Sequence, residues 1–240
     1  MSKQISVQLN YFGPFIEKLM EEDIPKLIKG ELGGERLSYL YGALFEAFFE
    51  LPLSALSPEI IGRYLEVTIK ETHLSIVPHT KHIYEKLLRP LKSAKRNYCL
   101  GDYLACIAAC GVVGEMLSIL IWKINGIRVN NKLMTSGDEK NLWGREFEKL
   151  GQEKRLLILK TFNLISETQF DDLNFLREIR RPYLHLWSTE LKNERDDALK
   201  AVKKVFHIFK DVTGIGIGSR GHLSINPLLM KLFEEKPRFE

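Results

Sequence analysis

Along most of the 240-residue chain, apolar residues return every three or four positions, and runs of strict alternation are few. That spacing marks helices with one buried face, so it predicts an all-α fold and gives strands no support. Pro14 suits the first turn of a helix carrying Phe15, Leu19 and Ile24, which Pro25 kinks or ends. After Leu32-Gly33-Gly34, the positions of Leu37, Leu40, Tyr41, Leu44, Phe45 and Phe48 predict a helix over 35–50. Ser57-Pro58-Glu59 reads as cap and first turn of a helix through Ile61, Tyr64, Leu65 and Ile69. A further segment runs from about Pro78 through Ile83, Leu87 and Leu91, interrupted at Pro90, with the next break at 97–101.

Residues 102–124 are apolar almost all round, and ~34 Å of helix is long enough to cross a bilayer. Glu115 sits near the middle, where an acidic group costs roughly 2.5–3.5 kcal/mol in lipid. Ala105, Ala108, Ala109, Gly111 and Gly114 instead let neighbouring helices approach closely. The reading is a buried central helix capped by Asp102, not a membrane span.

Residues 125–138 are polar and loop-like, with turn signals at Asn130-Asn131 and Ser136-Gly137-Asp138. Helices are expected near 139–150, 152–166, 170–186 and 190–213. The last carries Leu199, Val202, Val205, Phe206 and Phe209 on one face, with Lys192, Glu194, Arg195, Lys203 and Lys204 on a solvated one. A glycine-rich connector over 214–221 leads to a short tail. The expected organisation is an amino-terminal helical region over 1–96, a helical bundle over 97–213, and connector plus tail over 214–240.

Composition narrows the function classes. Apolar residues at 45% and charged residues at 28% are globular values that exclude wholesale disorder. Lys and Arg number 35 against 31 Asp and Glu, a net charge of +4 that tolerates a nucleic-acid partner without demanding one. Three Cys and a polar start without signal-peptide design point to the cytoplasm.

Three local signals carry no chemistry. Gly216, Gly218 and Gly221 match the GxGxxG spacing but follow a helix, whereas a dinucleotide loop follows a strand. Cys99, Cys106 and Cys110 lie in apolar sequence and read as buried thiols. His73, His79 and His82 lack acidic or Cys partners at matching spacing. No metal or cofactor is expected.

The segment Leu176-Arg-Glu-Ile-Arg-Arg-Pro-Tyr-Leu-His-Leu-Trp187 crowds three Arg and one His around a proline in a helical pattern. Pro182 predicts either a kink or a fresh helix start, whose free N–H groups would attract phosphate beside Arg180 and Arg181. Arg180-Arg-Pro-Tyr-Leu-His185 resembles the R-x4-6-H motif of HEPN domains, helical bundles that often act as metal-independent endoribonucleases. Leu100-Gly101-Asp102-Tyr103 and Gly114-Glu115-Met116-Leu117 resemble the glycine- and glutamate-containing helix of HEPN-like bacterial domains. The resemblance spans roughly the second half of the chain.

It implies an HEPN-like bundle and a homodimer whose two motifs form one composite RNA-cleaving site, in a toxin-like or defence-linked role. Carried over, Arg180 would hold the scissile phosphate, and His185 would take the proton from a ribose 2′-hydroxyl or protonate the leaving 5′-oxygen. Glu115 would orient one of them, with Arg181 and Tyr183 in support. The chain departs from the family at Arg181, where a small polar residue is common, and at Pro182. On an ideal helix Arg180 and His185 point about 140° apart, Arg181 and His185 about 40°. Either Pro182 turns Arg180 towards His185, or Arg181 is the functional arginine. The alternative is a non-catalytic HEPN-like module that binds nucleotide at the same cations or docks a protein through Phe45, Phe48 and Phe49. A plain surface stripe of Arg177, Arg181 and His185, paired with Glu178, Asp171 or Asp172, competes with both.

Overall fold

The long apolar helix ends where its neighbouring residues cap it. In the computed structural model it spans Tyr103–Asn125, is preceded by a helix over Lys81–Leu100, and the two meet at Gly101-Asp102. Gly101 adopts φ +84°, which lets its N–H bond to Tyr98 O at 3.1 Å and that of Asp102 to Asn97 O at 2.9 Å. This is a glycine-terminated helix end. Asp102 then opens the next helix by accepting a 3.0 Å hydrogen bond from Ala105 N.

The structure describes residues 6–9, 48–49, 51, 55–67, 74–77, 81–129, 132–184, 193–214, 216–217, 223–224 and 226–234. In chain order these form β1 (Ser6–Leu9), α1 (Pro58–Glu66), β2 (Leu74–Val77), α2 (Lys81–Leu100) and α3 (Tyr103–Asn125). There follow β3 (Arg128–Val129), β4 (Lys132–Leu133), α4 (Ser136–Trp143), a 3-10 turn at Phe147–Lys149, α5 (Gln152–Thr161) and α6 (Glu167–Leu184). Last come α7 (Glu194–Thr213), β5 (Gly216–Ile217), β6 (Leu223–Ser224) and α8 (Pro227–Glu234). The class is all-α. The strands form three separate antiparallel pairs, β1 with β2, β3 with β4 and β5 with β6.

Helices α2, α5, α6, α7 and α8 pack around α3. Ile107, Val113 and Leu117 are fully buried, so the all-round apolar surface is explained by helix neighbours on most sides. By length and composition α3 alone among the described helices would cross a bilayer, yet 56% of its most apolar window is buried inside the bundle.

Several sequence expectations shift. Pro90 does not interrupt α2, because Leu87, Leu91 and Ala94 bury one continuous face across it and compensate the missing backbone bond. The expected break at 97–101 contracts to Gly101, and the expected boundary at residue 96 falls within α2. Part of the 125–138 loop is the β3–β4 hairpin. Thr135 and Asp138 cap α4 reciprocally. Gly216–Ile217 of the glycine-rich connector form β5, which pairs antiparallel with β6 beyond it. The tail contains a docked helix: Leu229 is buried, and Asn226 ties α8 to the end of α7 through Thr213 O at 2.8 Å and Val212 O at 3.0 Å.

Phe49 is fully buried and Phe48 meets the Tyr64 ring edge-on at 5.0 Å. Phe49 thus belongs to this chain's own core and Phe48 packs against it, part-buried; Phe45 lies outside the described residues.

Candidate functional site

Leu173, Leu176 and Arg180 follow one another at three- and four-residue intervals on α6, so they share the stripe that faces α3. Leu173 and Leu176 are fully buried, and Arg180 continues the stripe where it reaches the surface. A Cβ at Gly111 would lie 2.8 Å from Arg180 Cδ, and one at Gly114 would lie 3.2 Å from Leu176 Cδ1. The two glycines of α3 thus clear the lane along which α6 approaches. The same approach brings Arg180 Nη2 onto Glu115 Oε1, an ion pair with side chains 22% and 33% exposed.

Glu115 serves a second cation. Its Oε2 lies 3.9 Å from Nη2 of Arg155, a residue of α5 only 5% exposed. Burial and the neighbouring Arg180 pull the Arg155 pKa down, while Glu115 pulls it up. A guanidinium stays charged even so. Two arginines against one carboxylate leave the cluster with one excess positive charge. One turn earlier on α5, Gln152 is 6% exposed, and neither its Oε1 nor its Nε2 has a hydrogen-bond partner. The Nε of Arg155 is likewise buried without one.

Pro182 starts no helix. It stands in the last turn of α6, which runs on through Leu184, so the free N–H groups expected beside the arginines are absent there. The local dipole end is instead negative, which suits cationic side chains. Arg181 is exposed and makes no side-chain hydrogen bond or ion pair among the described residues. Tyr183 donates a 2.7 Å hydrogen bond to Asp197 Oδ2 and ties α6 to α7. Burial, and the Asp197 carboxylate beside it, push its phenol pKa up. His185 lies outside the described residues, as does Trp187. The structure therefore joins Glu115 to Arg180, turns Arg181 outward and gives Tyr183 a partner on another helix. On the open side of α3, Leu104 and Val112 are each 44% exposed with Ala108 between them, an apolar strip that runs up to Glu115.

No family model, curated protein or solved structure matches this chain. The HEPN resemblance accordingly rests on its own residues.

Sequence reasoning passed over Gln152 and Arg155, although a signal was present. They fall in register with buried Leu156 and Leu159, at positions 152, 155, 156 and 159 of one helical face. Polar residues on an apolar stripe have something to meet. The surface-stripe reading also missed the role of α7. Buried Asp172 pairs with Lys204, and its Oδ2 lies 3.3 Å from His207 Nδ1. Arg195 reaches Glu66, which also accepts a 2.8 Å hydrogen bond from buried Tyr98. Arg177 pairs with Glu153 and Glu178.

The cysteines are buried, and burial pushes the Cys99 thiol up to about 12 and raises Cys110 as well. Neither is a nucleophile at neutral pH. His73 and His79 lie outside the described residues, as does the side chain of His82.

Proposed function

We propose that this protein is a metal-independent endoribonuclease of the HEPN type, working in the cytoplasm as a homodimer in a toxin-like or defence-linked role. The observation that supports this reading best is the Arg180–Glu115 pair, in which the motif arginine is anchored at the surface of the central helix. With Arg155 beneath it, the site keeps a net positive charge that suits a phosphodiester. Arg180 holds the scissile phosphate. His185, which follows α6 directly in sequence, takes the proton of the ribose 2′-hydroxyl. The 2′-oxygen bonds to phosphorus, the bond to the 5′-oxygen breaks, and that oxygen takes a proton from water as it leaves. The strip of Leu104, Ala108 and Val112 beside the site is the surface through which a second copy completes it.

A second reading, a nucleotide- or protein-binding module without cleavage, is favoured by the fact that Arg180 is already engaged by a carboxylate. One experiment separates the two. Single-stranded RNA incubated with the protein in excess chelator should yield 2′,3′-cyclic phosphate ends, with a dimer seen by light scattering. Intact RNA across several substrates assigns the binding module instead.

A further inference from the structure

Gln152 and Arg155 present a problem the fold leaves unsolved. A buried polar atom of an amide or guanidinium without a partner costs on the order of 1–3 kcal/mol. Three such atoms gather here on one face of α5, against the glycine lane of α3. Among the described residues, these are the buried side-chain polar atoms that lack a hydrogen-bond partner.

The charges here are also unbalanced. Glu115 binds Arg180 closely, while Arg155 stays 3.9 Å away, beyond hydrogen-bonding distance. One carboxylate has two oxygens and serves two guanidiniums incompletely. A phosphoryl group has more acceptor oxygens around a single centre and meets guanidinium forks in the same way a carboxylate does.

We propose that Arg155, Arg180 and Gln152 form an anion subsite for a phosphoryl group, which Glu115 fills from within the chain and vacates when phosphate enters. The phosphoryl oxygens accept from Arg180, from the Nε of Arg155 and from the Nε2 of Gln152. Gln152 Oε1, an acceptor, takes a hydroxyl hydrogen, which inorganic phosphate carries at neutral pH and sulfate lacks. Glu115 and Arg180 are part-exposed and form the mouth; Gln152 and Arg155 lie beneath. Glu115 is thereby an internal competitor for its own site, and the resting protein is held closed to weak anions. The inference deepens the proposed function, and rests on it only in naming an RNA phosphodiester as the natural occupant, where a ribose hydroxyl supplies the hydrogen that Gln152 Oε1 takes.

The test is calorimetric titration of the full chain with inorganic phosphate at low ionic strength, with sulfate as comparison and circular dichroism to verify folding. Glu115→Gln should bind phosphate about tenfold tighter than wild type. Arg155→Met and Gln152→Leu should bind it about tenfold more weakly, the order of one charge-assisted hydrogen bond. Phosphate should be preferred over sulfate in wild type, and Gln152→Leu should erase that preference. If Glu115→Gln does not fold, wild type and Gln152→Leu decide the matter, since removing an unpartnered amide leaves the fold intact. Equal affinity across the folded variants, or no phosphate binding by any of them, overturns the subsite. RNA cleavage without phosphate binding here would preserve the proposed function and sink this inference; phosphate binding without cleavage would do the reverse.

Discussion

Two polar clusters are built on the same helix and end differently. At the carboxy-terminal end of α3, Trp122 donates to Glu139 Oε1 at 2.8 Å, while Glu139 Oε2 accepts from Phe147 N at 2.9 Å. The Trp122 and Phe147 rings stack at 4.4 Å, and Trp143 closes the edge. Both carboxylate oxygens are used, and so are the buried donors that face them. At the middle of α3, Glu115 is shared between two arginines and three buried polar atoms of α5 have no partner. The first cluster is what a polar group looks like when it serves stability. The second keeps unmet hydrogen-bonding capacity and unbalanced charge beneath a part-exposed ion pair, as the proposed subsite requires.

The contrast can be broken most sharply by activity. Arg180→Ala and His185→Ala should each lower the RNA cleavage rate by roughly 10²–10⁴, while Glu139→Ala should leave the rate per folded molecule unchanged. Gel-based cleavage with foldedness measured in parallel checks this. Arg181→Ala should be mild, because Arg181 faces away from α3; a severe loss there with little at Arg180 would transfer the phosphate role to Arg181.

Stability reverses the order. Glu139→Ala should cost about 2–4 kcal/mol in urea unfolding, because two buried donors lose their acceptor together.

A third cluster sharpens the point through pH. Lys95 is 3% exposed, with Nζ 4.1 Å from the centre of the Tyr64 ring. Burial pulls its pKa down to about 7, against the pull of the aromatic faces, which favour the ammonium. Between pH 7 and its ordinary value near 10.5, the unfolded chain holds a proton that the folded chain has released, so stability rises with pH across that window. The stabilising effect of Lys95→Met should accordingly shrink by about 2 kcal/mol from pH 7 to 9. A pH-independent difference would mean that Lys95 keeps its proton in the fold.

The smallest effect is expected at Gln152. Replacement by Leu should leave stability unchanged or raise it by up to about 1 kcal/mol, since an unpartnered amide is removed. A loss of several kcal/mol would show that Gln152 is a closed structural contact like Glu139, and the contrast between the two clusters would fall.

Much of the fold was legible because local rules and tertiary packing agree. Asp102 as cap, the apolar length of α3 and the amphipathic face of α7 each depend on residues close in sequence. Legibility failed where distant packing outweighs a local rule. Pro90 breaks helices in isolation, yet the buried face of α2 holds the helix through it. The two-residue strands carry too few positions to show alternation, and the last 27 residues read as connector and tail because their anchors, Thr213 and Val212, lie on another element.

For the site, the sequence alone determined the residue types, the Gly111-x-x-Gly114-Glu115 pattern and the arginine pair at 180 and 181. Which arginine turns inward was decided by tertiary structure. The seating of Leu176 against Gly114 and of Arg180 against Gly111 sets the rotation of α6 about its own axis, and that rotation sends Arg180 to Glu115 and Arg181 to solvent. The approach of Arg155 to Glu115 and of Gln152 to Gly114 was decided the same way. These residues sit 40 and 37 positions from Glu115, so only the packing of α5 against α3 joins them. Periodicity reports which face of a helix is buried; the partner waiting on the other side belongs to the fold.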